Sequence, residues 1–76
     1  MKTVEEVLSR VLNVSPNIIT DSIKPEDIES WDSFNGLILI TELEKNFKVK
    51  FTLDEVVSVK NVGGIKKVLS DHGVKI

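Results

Sequence analysis

Cysteine is absent from this chain, so disulfides, CxxC metal knuckles and protein thiol chemistry are all closed to it. Any sulfur it uses must come from a cofactor. Histidine occurs once, at His72, which excludes a two-histidine metal site. No apolar run is long enough to cross a bilayer. The start, Met1-Lys2-Thr3-Val4-Glu5-Glu6, meets charge too early for a secretory leader. A cytoplasmic protein without membrane insertion is the expectation. The 76 residues suit one small domain, 1–76, and a domain of this size buries only about 60% of the surface its unfolded chain exposes. That leaves no room for a deep catalytic pocket beside a full core. Such a chain is better suited to presenting something than to enclosing it.

What charge there is lies unevenly. The net charge is −2, yet seven acids face the single base Lys24 between Asp21 and Glu44. From Lys45 onward seven lysines outnumber three acids. The acidic half can steer a basic partner. A nucleic-acid partner is not expected, because phosphate binding needs a concentrated basic surface. The same split is also compatible with a merely solvated surface.

The periodicity predicts helices. Thr3 with Glu6 forms a capping box, and Val4, Val7, Leu8, Val11 and Leu12 repeat on one face, so a first helix runs from about Thr3 to Leu12. Residues 13–31 contain Pro16 and Pro25 and keep no period. A loop this long needs pins, and Ile18, Ile19, Ile23 and Ile28 are the candidates, with a helical turn at Pro25-Glu26-Asp27-Ile28. A second helix starts at Asp32-Ser33, both favoured caps, and reaches Phe47. A third, short helix opens with the capping box Thr52–Glu55, and Leu53, Val56 and Val57 supply its expected buried side. A fourth runs from Asn61 or Val62 to His72, with Val62, Ile65, Val68 and Leu69 inward and Gly73 as its stop. Lys48-Val49-Lys50-Phe51 alternates like a strand, but four residues with no partner strand read as a loop. The fold class is all-α: a small four-helix bundle with a long loop between helices 1 and 2 and a short third helix.

The second helix wraps two apolar surfaces. Leu39, Ile40, Leu43 and Phe47, with Gly36 beside them, form the core side. Phe34, Leu37 and Ile38, with Thr41, project the other way. This second patch is either exposed for binding or covered by the long loop. Other candidate sites fall away. Gly63-Gly64 lacks the P-loop spacing and fits a tight turn or close packing. His72 has no GxSxG serine to serve. Glu42 and Glu44, two apart on a helix, do not face each other. Asp32-Ser33 is left, which by itself is an ordinary helix cap. Its place is less ordinary: it ends a long loop, begins a helix whose N-terminus favours a phosphate, and leads straight into the second apolar patch.

Trp31-Asp32-Ser33-Phe34, followed by Leu39-Ile40 and Leu43-Glu44-Lys45-Asn46-Phe47, resembles the phosphopantetheine-attachment region of acyl carrier proteins. Val59-Lys60-Asn61-Val62-Gly63 is similar to that family's approach to its last helix, and the likeness runs along essentially the whole chain. The resemblance implies that Ser33 carries covalent 4′-phosphopantetheine, transferred from coenzyme A by a phosphopantetheinyl transferase that Asp32 helps to position. It implies no catalysis by the chain and no metal held here. A monomer is the default expectation, with weak self-association through the second apolar patch left open. Acyl cargo would ride as a thioester to the enzymes of a fatty-acid, polyketide or specialised pathway, docking through Phe34, Leu37, Ile38 and Thr41. An aminoacyl or peptidyl carrier is a close variant, and an unmodified helical interaction module is the alternative of another class. The chain departs from the family pattern at three places: Phe34 stands where leucine is usual, and Asn35 and Ile38 where acids are common. Its second helix is thus more apolar, and Trp31 is similar to what discrete carriers of specialised pathways hold there.

Overall fold

Thr3 opens the first helix as a capping box should. Its Oγ1 accepts the Glu6 N–H at 3.1 Å, and Glu6 Oε1 accepts the Thr3 N–H at 3.1 Å. The computed structural model describes residues 3–75. Met1, Lys2 and Ile76 lie outside the described residues, and so do the first two positions of the start considered above for a leader. Four helices follow in order: α1 Val4–Leu12, α2 Ser33–Phe47, α3 Leu53–Ser58 and α4 Val62–Asp71. Two 3₁₀ turns, Pro16–Ile18 and Pro25–Asp27, interrupt the long connection. Among the described residues there is no strand, and Lys48–Phe51 is irregular as expected.

Both α1 and α2 stop on a residue in the left-handed region, Asn13 (φ 57°) and Lys48 (φ 56°). Gly73 (φ 88°) follows α4, where the lack of a Cβ removes the strain. Val7, Leu8 and Leu12 of α1 meet Leu39 and Leu43 of α2 and Ile65 and Leu69 of α4 in one apolar core. Ile40 and Phe47 pack on it half-buried.

The loop contributes to that core, though not as the sequence suggested. Ile19 and Ile28 are buried and Ile23 partly so, but Ile18 is exposed. Neighbours on a 3₁₀ turn point about a third of a turn apart, so Ile18 and Ile19 cannot both face inward. Trp31, not expected in the core, is buried there.

The α3 expectation also needs correction. Leu53 and Val57 are 77% and 61% exposed, and only Val56 turns inward, half-buried. A helix of six residues at the edge of the bundle turns one narrow flank inward, and Val56 on that flank lines a groove that neither Leu53 nor Val57 reaches.

Candidate functional site

The start of α2 is where the loop, the helix and an apolar groove meet. Asp32 is the cap: its Oδ1 accepts the Asn35 N–H at 2.8 Å, and its carbonyl accepts the Gly36 N–H at 2.8 Å. Ser33 is therefore the first helical residue and not the cap. Its side chain is exposed, and among the described residues its hydroxyl has no hydrogen-bond partner. The N–H groups of Ser33 and Phe34 are likewise unpaired among the described residues. These are the donors that the first turn of a helix offers to an anion.

The second apolar face of α2 lies open. Phe34, Leu37 and Ile38 are 71%, 64% and 37% exposed, so the long loop does not cover them. Thr41 is exposed beside them, with its hydroxyl donating back to the Leu37 carbonyl at 3.1 Å. The residues singled out from the sequence thus divide into the helix start, Asp32-Ser33, and an adjoining exposed surface, Phe34–Thr41.

A groove of about 530 Å³ opens beside Ser33, with Leu37 at the edge it shares with the exposed patch. Pro25 and Trp31 from the loop, Leu37 and Ile40 from α2, and Val56 and Val59 from the α3 region line it. Sequence reasoning missed this groove, because its walls come from segments far apart in the chain. Gly36 helps to shape it: a Cβ there would already touch the Trp31 indole nitrogen at 3.8 Å. The lone tryptophan, two residues before the serine, was the available signal.

The loop is held where it passes α4. The Ile23 carbonyl accepts the Val62 N–H at 2.9 Å, and the Asp21 carbonyl accepts the Gly63 N–H at 2.8 Å. A Cβ on Gly63 would stand 3.3 Å from the Asp21 oxygen, so the Gly63-Gly64 pair serves close packing. Lys66 Nζ bridges Glu5 (2.6 Å) and Asp21 (2.7 Å), joining α4 to α1 and to the loop. The hydrogen bonds to Asp21 and Glu5 raise the Lys66 pKa above its ordinary 10.5. The Lys66 ammonium in turn lowers the Glu5 carboxyl.

His72 does not approach Ser33. Its Nε2 lies 2.9 Å from Glu55 Oε2, and its ring stacks on Phe51 with centroids 6.3 Å apart. Among the described residues no cluster of His, Asp or Glu is placed to hold a metal, and no helix is long and apolar enough to cross a membrane.

No family model matches the chain. Two curated relatives, both acyl carrier proteins of Brachyspira hyodysenteriae, are 31% identical over 70 residues, covering 91% of this chain and 90% of theirs. With a helical bundle that sets a serine at the head of its second helix, the chain belongs to the acyl carrier protein family, whose members carry rather than catalyse.

Proposed function

We propose that this chain carries acyl intermediates as thioesters on a 4′-phosphopantetheine arm attached to Ser33 and presents them to partner biosynthetic enzymes. The observation that carries this reading is the state of Ser33. Its hydroxyl is exposed and unbonded among the described residues, one position past a capping carboxylate and beside an apolar groove. The donor set fits the group. Unpaired N–H groups at Ser33 and Phe34 favour a phosphodiester at the helix start.

During loading, Ser33 Oγ gives up its proton and bonds to the phosphorus of coenzyme A that bears the pantetheine. The bond to the adenosine-bearing phosphate breaks, and that half leaves. A phosphopantetheinyl transferase with magnesium performs the step, and Asp32 stands beside the reacting hydroxyl as a handle for it. Once attached, the arm supplies the thiol that a chain without cysteine lacks. Trp31, Leu37, Ile40, Val56 and Val59 offer an apolar lining to a chain-like cargo. Phe34, Leu37 and Ile38, flanked by Thr41, form the docking surface. Apolar anchors give affinity there, while the acidic stretch before α2 steers basic partners. We read residues 1–76 as one carrier domain, monomeric and cytoplasmic, working in a fatty-acid, polyketide or specialised pathway.

The test is incubation with coenzyme A, magnesium and a promiscuous transferase, followed by intact mass and fragmentation. One phosphopantetheine on Ser33, and none on Ser33→Ala, is the expected result. An unchanged mass beside a known carrier modified in parallel would overturn the reading and favour an unmodified interaction module. Because Asp32 holds the cap, Ser33→Ala should keep its stability within about 0.5 kcal/mol of wild type.

A further inference from the structure

In α1 and α3 the third helical residue is an acceptor that folds back on its own cap. Glu6 accepts the Thr3 N–H at 3.1 Å, and Glu55 accepts the Thr52 N–H at 2.9 Å. In α2 the third residue is Asn35, and its side chain is a donor. Nδ2 reaches past the cap to the Ser30 carbonyl at 2.8 Å. Ser30 passes the connection on, because its Oγ donates to the Leu12 carbonyl at 2.6 Å. Leu12 ends α1, where carbonyls lack intrahelical partners. Residue 30 therefore ties the end of α1 to the start of α2 through two bonds in series. Trp31, Asp32 and Ser33 stand on the span between those ties.

We infer that Asn35 is a positioning residue for modification of Ser33: its amide, acting through Ser30, holds the Trp31–Ser33 turn in the geometry that the transferase must meet. The inference rests on the carrier reading above. An acid here would change the charge that meets a basic partner as well as the bond, so the clean replacement is neutral. Leucine is close to asparagine in size, has no proton to give the Ser30 carbonyl and suits a helix at least as well. Asn35→Leu thus keeps the helix and the charge while removing the tie. With the tie lost, the transferase must order the turn as it binds, so the cost falls on KM.

The test measures transfer of phosphopantetheine onto wild type, Asn35→Leu, Ser30→Ala and the double variant, varying the carrier concentration. Asn35→Leu should raise KM about five- to tenfold, the size of one lost hydrogen bond, with kcat within about twofold and helicity unchanged. Because the bonds act in series, the double variant should be no worse than the poorer single one. Emission from Trp31, the single tryptophan, should shift to the red in each variant, independently of any transferase. An Asn35→Leu protein with wild-type KM and unshifted emission overturns the inference. Additive losses in the double variant also overturn it. A wild-type chain that takes no phosphopantetheine, while a known carrier does, is a failure of the carrier reading itself, and the inference falls with it.

Discussion

Two segments wall the groove beside Ser33, and they are built in opposite ways. Residues 13–31 are mostly irregular, yet they are fastened along their length. Ile19, Ile28 and Trp31 are buried, Asp21 and Ile23 bond to α4, and Ser30 bonds to α1. Helix α3 is regular and carries a complete capping box, yet none of its residues is fully buried. Its ties to the rest are the half-buried Val56, the neighbouring Val59 and the His72–Glu55 contact. Regular secondary structure and firm anchoring are therefore separate properties. Local hydrogen bonding makes a helix, whereas buried apolar area and long-range bonds decide how firmly a segment is held. Ser33 sits at the firm wall, and the α3 region forms the wall that is able to yield.

The largest test breaks the firm wall. Trp31→Ala removes a buried indole and should cost about 3–5 kcal/mol, read as a lower urea midpoint. That is much of what a domain this small has, so a partly unfolded variant is within expectation. Next comes Gly63→Val, which drives a branched side chain against the Asp21 carbonyl that already stands 3.3 Å from a Cβ. Overpacking at that seam should cost about 1–3 kcal/mol. Unchanged midpoints in both would mean that the loop is not fastened as described.

The same contrast explains what could be read from the sequence. Helices α1 and α4 were legible nearly to the residue, since each buries one stripe and has its cap written next to it. The start of α2 at Asp32-Ser33 was legible for the same local reason, although Asp and Ser are equally good caps by type. Only geometry gave the cap to Asp32 and left the Ser33 hydroxyl unbonded among the described residues. The long-range features were hidden. Nothing periodic marks Trp31 as core, Ile18 and Ile19 look alike, and the groove draws on residues from 25 to 65. The apolar side of α3 was misjudged because six residues carry too little pattern to separate a buried face from an exposed one.

Smaller effects come from charge, and pH separates the walls. Glu55 is held below its ordinary pKa of 4.5, first by the Thr52 N–H and then by His72. A lowered folded pKa gives stability that is present above 4.5 and lost as pH falls through the folded value. Glu5 behaves in the same way, so acid weakens the α3 contact with His72 and the α1–α4 bridge through Lys66. Lys66 is raised above 10.5, so its contribution is complete below that pH and lost as pH rises through the folded value. Alkali should therefore loosen the loop seam and spare α3. Amide exchange at about pH 11 is too fast to follow, so thermal melts serve instead. Lys66→Met should flatten the alkaline decline while costing no more than about 1 kcal/mol at neutral pH. A decline as steep as in wild type would refute this assignment.

The smallest change in global stability is expected where the side chains look most hydrophobic. Leu53 and Val57 are large and apolar, but both already stand in water, so replacing them with serine removes little burial. Leu53→Ser with Val57→Ser should move the urea midpoint by no more than the equivalent of about 0.5 kcal/mol per site. Native-state amide exchange should nonetheless find α3 opening more readily than α1, α2 or α4, in wild type and variant alike, because its exchange is governed by local opening. A large global loss would place Leu53 and Val57 in the core after all. Exchange in α3 as slow as in α1 would show that both walls are firm, and the groove between them would then have a fixed width that α3 does not adjust.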